Sequence, residues 1–347
     1  MNNFKKIGLT ALAGSLVVVS ANAIEMSVSG TTSVSYTSKS AAKTSVVGGQ
    51  AIGVDTGIAF SGSGELENGF TVSTFAALDD GRADTLSSSQ LTLGMGSLGT
   101  VVFAQQFGTA ANGIDDVTPR VKEESWDQAG GSVLQDFGRA TAEGAVTYKS
   151  PTVDVSGLAI SFGVDYDPAA NAASDDHDAT TAKPSSGSGT GAVIKIASDL
   201  GITVGAGVEN ISGANTTQTD KTNVTAYALY TMGPVSIGYQ GYYLDQGSGV
   251  GNVDIAAGGD YTGDAIGIAF NVNDNLSLSY GEINETLESA SGSLAADRDT
   301  TSITAAYSAG GMAVTIQQTE TDNFAMTRTV ADARDTETTQ ITLAFAF

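Results

Sequence analysis

The sequence closes on "QITLAFAF", Gln340–Phe347. Taken at every second residue, Ile341, Leu343, Phe345 and Phe347 fall on one face, with Thr342, Ala344 and Ala346 on the other. A period of two is the pattern of a β-strand. Chain ends usually fray into polar residues, whereas this one stops on an aromatic with its apolar face complete. Such a strand needs a neighbour for its backbone and a cover for its side chains.

The same alternation recurs throughout the chain. "MSVSGTTSVSY" sets Met26, Val28, Val34 and Tyr36 against Ser27, Ser29, Ser33 and Ser35, and "LAISFGVDY" sets Leu158, Ile160, Phe162, Val164 and Tyr166 on one side. Between these and the terminus lie "AIGVDTGIAF", "FTVSTFAAL", "QLTLGM", "TVVFAQQF", "AVTYK", "AVIKIAS", "ITVGAGVE", "NVTAYALYTM", "VSIGYQGYY", "AIGIAF", "LSLSY", "SITAAYS" and "MAVTIQQ". With the terminal segment this predicts sixteen strands. Their connections alternate in length. "GSGELENG", "GSLG", "SPTVDVSG", "SDLG", "GP", "NVNDN" and "SAGG" are short and rich in turn residues. Residues 38–48, 79–86, 108–141, 167–189, 210–220, 245–261, 284–298 and 321–335 form longer, mostly acidic loops.

Short turns on one rim and long loops on the other describe an up-and-down membrane barrel. The expected fold is therefore all-β: a 16-stranded antiparallel transmembrane β-barrel with a long third loop, residues 108–141. A soluble sandwich would carry charge on its second face. Here that face is Ser, Thr, Gly, Ala and Gln, which suits a water-filled lumen. A solenoid would need a fixed sequence period, and none is found. The N-terminus adds "MNNFKKIGLTALAGSLVVVSANA": Lys5 and Lys6, an apolar run from Ile7 to Val19, then Ala21-Asn22-Ala23. This is the pattern of a cleaved export signal over residues 1–23, leaving residues 24–347 as one barrel domain.

Charge and cysteine content exclude other classes. The chain carries 15 Lys and Arg against 38 Asp and Glu, a net charge of −23, and losing Lys5 and Lys6 with the signal makes it two units more negative. No basic footprint exists for nucleic acid. With no cysteine, an exported fold here has no disulfide framework.

Taken together, the "ANA" signal ending, the sixteen alternating segments, the long third loop and the terminal "ITLAFAF" resemble the general-diffusion porins of Gram-negative outer membranes, in particular the sixteen-stranded alphaproteobacterial type. The resemblance implies a homotrimer in outer-membrane lipid and lipopolysaccharide that passes small hydrophilic solutes passively. It also implies that Ile341, Leu343, Phe345 and Phe347 form the tag read by the barrel-assembly machinery. The third loop would fold inward as the constriction, lined by Asp115, Asp116, Glu123, Glu124 and Asp127, with Arg120 and Lys122 as counter-charges.

In that family, basic side chains on the wall face the loop acids. This sequence departs from the pattern: the first five expected strands hold no Lys or Arg, and only Lys149, Lys195 and Lys221 fall in or beside strands. By phase, Lys195 points inward, as do Asp55, Asp165 and Glu209. A negative lumen concentrates cations, so cation preference is expected.

No cofactor is expected. Asp175, Asp176 and Asp178, beside His177 in the fourth long loop, are weak candidates for a structural Ca²⁺, with a solvated loop tip the simpler reading. "GGDYTGD", residues 258–264, resembles one unit of a calcium-binding repeat but occurs once. His177 is the sole histidine, and no nucleophile signature accompanies it. An enzyme is therefore disfavoured. An adhesin, or a channel specific for sugar or another nutrient, is the remaining alternative.

Overall fold

The computed structural model describes residues 25–41, 49–79, 86–105, 108–122, 137–138, 143–168, 170, 187–213, 220–245, 259–289, 295–324, 326 and 335–347. The expected export signal, Glu123, Glu124, Asp127 and the Asp175–Asp178 cluster lie outside the described residues.

Among the described residues, seventeen strand segments follow one another: β1 (Glu25–Ala41), β2 (Gly49–Glu65), β3 (Thr71–Asp79), β4 (Leu86–Gly94), β5 (Thr100–Gln105), β6 (Glu143–Lys149), β7 (Val153–Val155), β8 (Leu158–Asp167), β9 (Gly189–Ser198), β10 (Ile202–Ile211), β11 (Lys221–Met232), β12 (Val235–Asp245), β13 (Gly259–Asn271), β14 (Leu276–Ser289), β15 (Ala295–Ala309), β16 (Met312–Asp322) and β17 (Thr336–Ala346). They form one antiparallel sheet that closes on itself, because β1 pairs with both β2 and β17. Segments β6 and β7 both pair with β8 and lie in line, so the wall has sixteen strands. Pro151 makes the break, since it has no N–H to give a ladder. Beside it, the Ser150 hydroxyl accepts the Phe162 N–H at 2.9 Å.

Closure explains the terminal sequence. Ala346 faces Thr31, Leu343 faces Val34 and Ile341 faces Tyr36. Beyond the ladder, Gly30 N–H donates to the Phe347 carbonyl at 2.7 Å, and Phe347 N–H donates to the Gly30 carbonyl at 2.9 Å. A closed sheet leaves no unpaired edge in the hydrocarbon. Its outer face carries the apolar set, with Val54, Phe103, Phe162, Ile303 and Ile316 all about half exposed or more. Lipid is the solvent that suits such a surface.

Two connections differ from the sequence expectation. "SPTVDVSG" is not one turn: β7 lies inside it, and the hairpin is the pair Ser156 and Gly157, at φ 56° and 83°. Residues 284–298 are mostly strand, because β14 runs to Ser289 and β15 starts at Ala295. Alternation continues there with its polarity reversed. Glu282, Asn284, Thr286 and Glu288 take the outer face, while Ile283 and Glu285 are 1% exposed on the inner one. The strands have risen above the lipid band, so the outer face meets water and the inner face packs. The same reversal holds at the start of β13, where residues 259–264 of "GGDYTGD" lie in the strand with Tyr261 buried.

The longer strands also correct the count of wall cations. Lys39 lies in β1 and Arg298 in β15. Inside the barrel, towards the long-loop rim, Tyr242, Leu244, Tyr261, Ala265 and Ile283 pack together with Leu287 and Met326.

Candidate functional site: the seat of the third loop

Gly108 follows β5, and the loop turns into the lumen. Its first arm, Gly108–Lys122, runs along the inner wall from β8 to β14. The Ala110 and Ala111 N–H groups donate to the two Asp165 oxygens at 2.8 and 2.7 Å, and the Thr147 hydroxyl donates to the same carboxylate at 2.7 Å. A 3-10 turn at Asn112–Ile114 follows. Gln240 then clamps the arm: its Oε1 accepts the Val117 N–H at 2.9 Å, and its Nε2 donates to the Ile114 carbonyl at 2.8 Å. The Tyr242 hydroxyl donates to the Asp115 carbonyl at 2.8 Å, and Val121 N–H donates to Ser279 Oγ at 3.2 Å. The arm ends where the Lys122 ammonium donates to Gln340 Oε1 and Thr342 Oγ1 on the closing strand. The second arm returns at Gly138, whose N–H donates to Glu209 Oε2 at 3.2 Å.

Hydrogen bonds alone do not make the seat. The inner wall is bare where the loop crosses it, because glycines stand at Gly163, Gly191, Gly207, Gly238 and Gly267, on β8, β9, β10, β12 and β13. A Cβ on Gly163 would overlap Ala110, and one on Gly191 would press Ala111. At Gly207 it would stand 2.6 Å from Ile114 and 3.0 Å from Phe137. On Gly238 and Gly267 it would meet Pro119 at 2.5 and 2.6 Å. Glycine inside a strand often marks such a close backbone approach. Ala111, Ile114, Val117, Phe137 and Tyr227 bury one another in the groove. A loop held by apolar packing and charge-assisted bonds, worth about 1.5–3 kcal/mol each, is a fixed part of the lumen wall.

The sequence-selected residues that fall among the described ones can now be placed. Asp165 and Glu209 face inward at 4% and 0% exposure, so they anchor the loop beneath it and do not line open water. Asp116 pairs with Arg120 at 2.8 Å within the loop. Asp115 accepts the Asp116 N–H and the Asn112 amide. Asp55 and Lys195 are exposed on the inner face, Asp55 opposite Ser33 and Lys195 opposite Gly205 and Ser161. Lys149 donates to the Gly108 carbonyl at 2.7 Å. Gln240 and the wall glycines escaped the sequence reading. The available signal was glycine at lumen phase in the middle of strands, where it otherwise weakens a sheet.

These features define a closed outer-membrane-type barrel narrowed from within by its third loop. Solved structures share this fold along nearly the whole chain. The outer membrane channel DcaP of Acinetobacter baumannii aligns with TM-score 0.66 and 10% identity, over 94% of this chain and 98% of that one. OmpF of Salmonella typhi, solved with daunomycin, aligns at 0.64 and 14%, over 94% and 98%. The anion-selective porin from Comamonas acidovorans aligns at 0.63 and 15%, over 93% and 100%. At these identities the likeness is one of fold. No family model and no curated protein matches the chain.

Proposed function

We propose that the protein is an outer-membrane porin, exported by its N-terminal signal, through which ions and small hydrophilic solutes diffuse passively. The observation that carries this reading is the third loop, seated by matched glycines, Asp165, Gln240 and Glu209 on the inside of a barrel with an apolar outer face and a polar lumen. A wide barrel held at a fixed inner narrowing is what passive sieving requires. No chemistry is assigned to side chains in the lumen, and catalysis forms no part of the reading.

Cation preference belongs to the same proposal. Asp55 is exposed on the passage wall and the chain as a whole is strongly anionic. One protein of this fold is an anion-selective porin, so the fold leaves selectivity to local charge. A sugar-specific lining of aromatics has little support, because the inward Tyr227, Tyr242 and Tyr261 are buried in packing, and Phe75, half-buried on the inner face of β3, makes no slide by itself. A homotrimer in lipopolysaccharide-containing membrane, assembled through the terminal strand, completes the proposal.

Reconstitution into planar bilayers tests it. Stepwise conductance increments, grouped in threes, together with solute-size exclusion in liposome swelling, are the expected result. A purified, folded chain that adds no conductance would overturn it.

A further inference from the structure

The long-loop rim contains a second element that reaches into the lumen. After β16 the chain turns inward at Asn323, Phe324 and Met326. Asn323 and Met326 both hold left-handed backbone, at φ 51° and 48°. A methionine rarely adopts that conformation unless its surroundings impose it. Here they do so from several strands. The Asn323 amide donates to the Asp297 carbonyl at 2.6 Å, and its N–H donates to Asp335 Oδ1 at 3.1 Å. Arg298, 5% exposed and paired with Glu285 at 2.7 Å, donates to the Phe324 carbonyl at 3.4 Å. Met326 packs on the inner-wall cluster of Tyr242, Leu244, Tyr261, Ala265 and Ile283. From the far side of the seam, the Lys39 ammonium on β1 sits 4.9 Å from the centre of the Phe324 ring.

These contacts tie one short segment to β1, to β15 and to the core on β12–β14. Inner-face residues on that side are shielded: Thr321 is 1% exposed, and Thr338, cross-strand neighbour of Lys39, is 7% exposed. On β2, by contrast, Ala51 and Asp55 are exposed on the inner face. We propose that Asn323, Phe324 and Met326 form an outer sill, latched by Lys39, that covers the β15–β17 side of the mouth and makes solutes enter along β2. Lys39 and Phe324 are then specificity-determining residues for the size of solute admitted. This inference rests on the channel reading above.

The absence of native cysteine allows a direct test. Single cysteines at T338C and A51C are compared in the full chain in lipid vesicles, with a small water-soluble methanethiosulfonate as probe. The sill predicts slow labelling of T338C and fast labelling of A51C. Replacing Lys39 by Met removes the cation–π latch and raises T338C labelling by about two- to fivefold, whereas K39R keeps it slow. In swelling assays K39M also speeds a disaccharide relative to a monosaccharide. The sill is wrong if T338C labels as fast as A51C in the parent chain. It is also wrong if K39M changes neither labelling nor solute cut-off. A parent chain that conducts nothing overturns the channel reading instead, and the labelling comparison still decides whether the sill exists.

Discussion

At the scale of single residues, the barrel seam depends on a glycine beneath an aromatic. Gly30 is buried on the outer face, and a Cβ there would overlap the Phe347 ring. Gly49, on β2 opposite Lys39 and outside the seam, has nothing near its missing Cβ. Gly30→Ala should therefore destabilise closure by about 1–3 kcal/mol through overpacking, and Gly49→Ala should not. Heat-modifiability on gels, followed across a urea series, reads the difference. Equal midpoints for the two variants would contradict the role given to the ring. The terminal strand and the phase of Ile341, Leu343, Phe345 and Phe347 were legible in the sequence. Their partner Gly30 was not, because alternation fixes which face a residue takes but leaves open which residue stands opposite.

For the elements, the third loop and its seat behave as one unit. Asp165→Asn keeps the shape of the side chain but turns one acceptor oxygen into an NH₂ group. The Ala110 and Ala111 N–H groups then compete for a single acceptor, and the lost charge-assisted bond is worth about 1.5–3 kcal/mol. The expected outcome is a noisier open state, with larger solutes admitted in swelling assays. Gly207→Val should shift Ile114 and Phe137 and change single-channel conductance even in molar salt, where screening leaves geometry in charge. Gly113, whose missing Cβ faces open space, supplies the control: Gly113→Ala should conduct as the parent does. Sixteen strands and the alternation of short and long connections were readable because the lipid-facing set repeats every second residue. The upper parts of β14 and β15 were hidden by their reversed polarity: Glu282 and Glu288 face outward while Ile283 and Glu285 are buried, so a strand reads as a polar loop. That same extension moved Arg298 from an expected loop onto the wall, and the run of β1 to Ala41 did so for Lys39.

For the molecule as a whole, charge placement matters more than charge count. Inward phase identified Asp55, Asp165, Glu209 and Lys195 in the sequence. It could not show that Asp165 and Glu209 are covered by the loop they anchor, since burial by a segment dozens of residues away leaves no local pattern. Of those four, Asp55 and Lys195, opposite in sign, are exposed to the lumen, so the proposed cation preference requires Asp55 to outweigh Lys195 along the passage. Asp55→Asn should weaken cation preference at low ionic strength and leave conductance in molar salt unchanged. The central claim, an aqueous passage with a net negative field, is tested most directly by the zero-current potential of the reconstituted channel under a KCl gradient. Cation preference makes the dilute side positive. A dilute side that becomes negative, with chloride carrying the current, would contradict it.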